Sequence, residues 1–88
     1  MKEKELERIL KALANRRRLA IISYLRKNKE SSVGNIAAAI HLSMKSTSRH
    51  LVVLAGADIL DREQRGPEVY YKINTAVPNV FQPILKGL

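Results

Sequence analysis

The hydrophobic period of this chain changes once, near Asp58, and that change limits what the chain can fold into. Before it, apolar residues recur at helical spacing. Glu3–Ala14 carries Leu6, Ile9, Leu10 and Leu13 on one face, with Glu7 and Lys11 as a favourable i,i+4 pair. Asn15 is a good N-cap and starts a second helix, Arg16–Lys27, with Leu19, Ile22 and Leu25 inward and Ile21 on the flank. Asn28–Ser31 reads as a loop. Ser32 caps a short helix, Val33–Ile40, that turns Ile36, Ala37 and Ile40 inward. His41-Leu42 makes a tight turn, and Ser43 caps a further helix running to about Ala57. Beyond Asp58 the pattern alternates. Ile59–Gln64 and Val69–Ile73 read as strands, joined by the turn Arg65-Gly66-Pro67-Glu68. A two-stranded hairpin alone is marginal, so it must lie against the helices. Pro78 precedes a last short helix, Asn79–Leu88, with Val80, Phe81, Ile84 and Leu85 on its apolar face and Pro83 interrupting it. The expected architecture is mainly α with a small β-hairpin, in one domain over residues 1–88.

The two short helices around His41-Leu42 form a helix-turn-helix, and the second is polar on its outer side. Along Ser43–Leu54, Thr47, Leu51 and Leu54 make a buried stripe, while Lys45 and Arg49 lie one turn apart among small hydroxyls. Short polar side chains let a helix backbone approach another surface closely. An arginine there can pair with guanine in the major groove, the commonest specific contact.

Charge supports a polyanionic partner. Sixteen Lys and Arg against eight Asp and Glu give a formal charge of +8. The charge is sorted by segment: Arg16, Arg17, Arg18, Arg26, Lys27 and Lys29 precede Glu30 without an acid, whereas Glu3, Glu5 and Glu7 crowd the N-terminal segment. The aromatic residues, Tyr24, Tyr70, Tyr71 and Phe81, are too few for a single-strand binder built on stacking platforms. No cysteine is present, hence no disulfide, thiolate metal site or cysteine nucleophile. No apolar run approaches the ~18 residues of a membrane span. The first residues read as a charged helix former, not a signal peptide, and a cytoplasmic location is expected.

The same order of elements resembles the winged helix-turn-helix repressors of the ArsR type. The resemblance runs from about Ile9 to Asn74. Leu10 to Ile22, with Asn15 before the arginines and an apolar run after them, is similar to the family's opening. Val33-Gly34-Asn35-Ile36-Ala37 and Leu42-Ser43 resemble its first DNA-domain helix and turn. Ser48-Arg49-His50-Leu51-Val52-Val53-Leu54 resembles its most distinctive stretch, and Arg65-Gly66 followed by Val69-Tyr70-Tyr71-Lys72-Ile73 resembles its wing. Three departures stand out. The founding members carry Cys-Val-Cys where this chain has Ser32-Val33-Gly34, and the zinc-binding members use carboxylates and histidines on a last helix that here has none. Transition-metal binding needs several convergent ligands, so no metal site or other cofactor is expected. Asp58 stands where the family usually has glycine, which a left-handed helix cap prefers.

The expected DNA-binding residues are Ser43, Met44, Lys45, Ser46, Ser48, Arg49 and His50 on the recognition helix and Arg62 and Arg65 on the hairpin. Each has a plainer reading beside it. Ser43 serves as a cap that also suits phosphate. Met44 is a thymine-methyl contact or a partly exposed packing residue. In the family pattern His50 is structural or phosphate-adjacent, and His41 lies on the surface. Arg62 and Arg65 reach phosphate or the minor groove, diluted by Asp61, Glu63 and Glu68. Of Arg16–Arg18, one pairs internally and the others face phosphate. Tyr70 and Tyr71 alternate, one inward and one outward.

The reading that follows is a sequence-specific double-stranded DNA-binding repressor, not an enzyme. One recognition helix covers too few base pairs for strong specificity, so a homodimer on a palindromic operator is expected, with its two helices about 34 Å apart. Leu6, Ile9, Leu10 and Leu13 on the first helix, with Val80, Phe81, Ile84 and Leu85 on the last, form the natural dimer seam, as the resemblance also implies. The alternative is a winged-helix module for protein or RNA contact without operator specificity. No effector is identified.

Overall fold

Asn15 ends one helix and starts the next. Its Oδ1 accepts from the backbone N–H groups of Arg17 at 2.9 Å and Arg18 at 3.1 Å, satisfying two of the donors that a helix start leaves free. The computed structural model describes residues Met1–Leu88. In chain order it holds α1 (Glu3–Leu13), α2 (Arg16–Asn28), β1 (Glu30–Ser32), α3 (Val33–Ala39), α4 (Met44–Gly56), β2 (Leu60–Arg65) and β3 (Glu68–Ile73). A 3₁₀ turn (Asn79–Phe81) and α5 (Gln82–Lys86) close it. Pro83 divides the expected last helix into these two pieces, because a proline is accommodated only in a helix's first turn.

α3 and α4 are the helix-turn-helix, and both end in the same way. His41 and Asp58 hold φ of 56° and 58°, the left-handed region. In each case the following residue donates back five positions, Leu42 to the Ala37 carbonyl and Ile59 to the Leu54 carbonyl, both at 3.0 Å. The left-handed residue itself donates back three, His41 to Ala38 at 3.3 Å and Asp58 to Ala55 at 3.0 Å. These are Schellman closures, which satisfy the last carbonyls of a helix and turn the chain sharply. At the other end, Ser32 Oγ accepts from Asn35 N–H at 3.2 Å and Ser43 Oγ from Ser46 N–H at 3.1 Å.

β2 and β3 form the expected hairpin, but a third strand joins its sheet. Glu30 and Ser31, expected as loop, together with the cap residue Ser32, pair antiparallel with β3 and give a three-stranded sheet of order β1-β3-β2. Ser31 faces Tyr71 across the ladder and lies buried, its hydroxyl 3.3 Å from that of Tyr24. Gly66 at φ +59° and Pro67 make the two-residue turn between β2 and β3; a positive angle followed by a proline-fixed negative one is the sign pattern of type II′.

One core unites the helices with the sheet base: Ile9, Leu13, Ile21, Ile22, Leu25, Ile36, Leu51, Leu54, Ile59, Tyr71, Phe81 and Leu85 are among its buried members. Ile21, expected on the flank, is fully buried, and Leu19 lies at the core's edge, because α2 is overlaid by helices on more than one side. Tyr71 points inward and Tyr70 outward.

Candidate nucleic-acid interface

The core fixes which side of α4 meets solvent. Thr47, Leu51 and Leu54 are buried. The opposite face presents Lys45 and Arg49, both exposed and separated by one turn, about 6 Å along the axis. Met44 is exposed at the helix start, and Ser46, Ser48 and His50 lie half-buried on the flanks. Ser43 is exposed, but its hydroxyl is already engaged as the cap. Three cooperating features favour an anion at this end of α4: the capped N-terminus, the partial positive charge of the helix dipole and the Lys45 ammonium.

The flanks differ. Met44 and Ser48 border a groove shared with Ser32, Val33 and Gly34 of the preceding helix start and with Pro67, Glu68 and Val69 of the hairpin. His50 turns the other way, toward α2. The Arg18 guanidinium approaches His50 Nδ1 at 3.4 Å, donates to the Lys11 carbonyl at 3.2 Å and also donates to the Ala12 carbonyl. Arg18 is thus the internally paired arginine of the trio, while Arg16 and Arg17 stay exposed. Burial, with the Arg18 and Arg17 guanidiniums beside it, holds the His50 ring below the ordinary 6.5. The ring is neutral near pH 7 and serves as an acceptor.

Arg65 departs from its expected role. It forms a bidentate pair with Glu30 on β1, both bonds at 2.9 Å, donates to Glu63 at 3.0 Å and lies over the Tyr70 ring at 4.4 Å. A guanidinium so satisfied has its donors committed within the sheet. Its hydrogen bonds hold both carboxyls below the usual carboxylate range. Arg62 remains exposed, its contact being one bond to Gln64 at 3.2 Å.

Sequence reasoning passed over Val52. It is 64% exposed on the Lys45–Arg49 side of α4, although it is apolar and β-branched. The signal was its position, seven residues after Lys45.

The expected dimer seam divides in two. Ile9, Leu13, Phe81 and Leu85 are 7% exposed or less and belong to this chain's own core, because α1 lies over α2 and α4 and α5 lies over α2. Leu6, Leu10, Val80 and Ile84 face solvent. Of the two positions matching the family's thiolates, Ser32 spends its hydroxyl on capping α3 and Gly34 has no side chain.

A helix-turn-helix with a cationic outer face, followed by a β-wing, defines the chain as a DNA-reading domain of the winged-helix class. A family profile described as "Helix-turn-helix domain" matches residues 13–63. The arsenic resistance transcriptional regulator ArsR1 of Pseudomonas putida is 32% identical over 80 residues, covering 91% of this chain and 62% of the relative. The transcriptional repressor PagR of Bacillus anthracis is 36% identical over 66 residues, covering 75% of this chain and 66% of the relative. The chain therefore spans less than two thirds of the length of these two curated relatives. Among solved structures, the homodimeric winged helix-turn-helix DNA-binding domain from Mycobacterium bovis, described as a possible ArsR-family transcriptional regulator, superposes with a TM-score of 0.81 at 28% identity. That match covers 94% of this chain and 73% of the other. The chain belongs to the ArsR family of winged helix-turn-helix transcriptional regulators. No helix of it is long and apolar enough to cross a membrane.

Proposed function

We propose that this protein is a homodimeric repressor that occupies a palindromic operator, reading bases through Lys45, Ser48 and Arg49 of α4. The observation that carries this is the exposure of Lys45 and Arg49 together on the outer face of a helix whose other face is locked in the core. Ser43, Met44, Ser46 and Arg62 lie where they touch backbone or groove edges, and His50 and Arg18 support the helix from behind. The seam is formed by Leu6, Leu10, Val80 and Ile84. Residues 1–88 act as one domain, in the cytoplasm where the DNA is, as a binding protein and not an enzyme. The relatives reported above are named as transcriptional regulators, which favours operator binding over a protein- or RNA-contact module.

Selection of bound duplexes from a random pool tests the reading. The expected result is a palindromic motif, with Arg49→Ala weakening binding by about 1–3 kcal/mol and relaxing preference at one position in each half. Failure to enrich any motif, with affinity set only by salt and length, overturns it.

A further inference from the structure

We infer that Val52 is a specificity residue that packs on the C5-methyl of a thymine in the operator half-site. The inference rests on the DNA reading above and extends it to a residue and a base. Val52 is the most exposed large apolar side chain of the whole chain, 64%, and it sits in the body of a helix, not at a frayed end. Nothing in the chain's own fold accounts for it. It is no member of the core cluster, and a β-branched side chain lowers helix propensity relative to the alanine or charged residue that solvent would favour.

Its place on the helix supplies the explanation. Lys45, Ser48, Arg49 and Val52 stand at i, i+3, i+4 and i+7, the set that forms one continuous stripe along a helix. A helix lying in a major groove points such a stripe at the base edges. Among the groups displayed there, donors and acceptors suit lysine, serine and arginine, and only the thymine methyl suits an isopropyl group. Val52 lies about 4.5 Å beyond Arg49 along the axis, little more than the 3.4 Å step between bases. The half-site should thus carry a thymine next to, or one step beyond, the guanine that Arg49 pairs with. Met44, which the sequence also offered for this role, is the first residue of the helix and falls outside this i, i+3, i+4, i+7 set.

Replacing single thymines of the selected operator by deoxyuridine removes the methyl and leaves base pairing intact. Binding of each duplex is measured by fluorescence anisotropy for the wild type and for Val52→Ala, with melting by circular dichroism confirming that the variant is folded. One position per half-site should lose about fourfold in the wild type, the ~0.8 kcal/mol of one buried carbon converted at 1.4 kcal/mol per tenfold. In Val52→Ala that loss should disappear. Insensitivity of the wild type to deoxyuridine everywhere, or an equal loss in both proteins, overturns the inference while leaving operator binding in place. Selection that enriches no sequence at all removes the DNA reading itself, and Val52 with it.

Discussion

The guanidinium of Arg18 joins His50 to the end of α1: it meets His50 Nδ1 at 3.4 Å and donates to the carbonyls of Lys11 and Ala12. Guanidinium nitrogens only donate, so the contact requires a neutral imidazole with Nδ1 free to accept. The same fork satisfies carbonyls that the last turn of α1 leaves without partners. One side chain of α2 therefore ties the first helix to the recognition helix, and these two helices also pack on each other directly.

Arg18→Ala should destabilise the fold by about 2 kcal/mol, the cost of several charge-assisted bonds and of carbonyls left partnerless. Arg18→Lys should recover little of it, since an ammonium cannot reproduce the planar fork. Urea denaturation of the three proteins measures both. A lysine variant as stable as the wild type would show that charge alone matters there.

His50 gives the fold a mild acid sensitivity. Its ring titrates below 6.5 in the native state, so at acid pH the unfolded chain binds a proton more readily than the folded one. Stability is then complete above about pH 6.5 and declines as pH falls below it, until the native ring is itself protonated. Glu30 and Glu63, whose native values lie below the ordinary 4.5, act only at lower pH. The urea midpoint should drop between pH 7 and pH 5 in the wild type and drop less in His50→Asn. Equal declines in both would assign the effect elsewhere.

Thr47 is fully buried and its Oγ1 has no hydrogen-bond partner. A hydroxyl enclosed without a partner is a cost that valine, of the same shape, avoids. Thr47→Val should therefore raise stability by about 1 kcal/mol and leave the selected operator motif unchanged, because the side chain points away from Lys45 and Arg49. Thermal melts and a repeated selection check the two halves of that claim.

What the sequence disclosed divides by range. The caps at Asn15, Ser32 and Ser43 were readable because each bond spans two or three residues. The left-handed turn at Asp58 was foreseeable from a glycine preference, and the structure finds φ of 58° there. His41 carried no such mark. β1 was missed because Glu30-Ser31-Ser32 shows no apolar alternation; its burial comes from Tyr70 and Tyr71 on a strand some forty positions away. For the same reason Arg65 read as a phosphate or minor-groove contact diluted only by neighbouring acids such as Glu63. Its bidentate partner Glu30 stands 35 residues earlier, and periodicity says nothing about such a pair. Helical spacing likewise marked Ile9 and Leu10 alike as apolar, and only packing separates the buried one from the exposed one.

Arg65 should become available to DNA once its carboxylates are neutralised. In a Glu30→Gln, Glu63→Gln variant the guanidinium loses both ionic partners, and the dependence of log K on log salt should steepen by up to about 0.9, one further phosphate contact. Losing two acids also strengthens binding nonspecifically, so the comparison is made again with Arg65→Ala added. If the steepening survives without Arg65, the released arginine is not its source.

The split seam makes an asymmetric prediction about assembly. Leu10 and Ile84 are 47% and 49% exposed in the chain, whereas Ile9 and Phe81 are 3% and 2% exposed. A charge at either exposed position leaves the chain's own core intact and meets only the surface proposed for the partner. Leu10→Glu and Ile84→Glu should therefore melt cooperatively as folded monomers, while Ile9→Glu and Phe81→Glu should fail to fold, since a carboxylate would be buried without a partner. Monomers should also bind the palindrome far more weakly, because each half-site contact must then form without its tethered twin. Sedimentation velocity across tens of micromolar, run beside operator binding, checks the two effects together. A Leu10→Glu, Ile84→Glu double variant that still sediments as a dimer would place the seam on some other surface, and the outward-facing leucine and isoleucine would then need a different occupant.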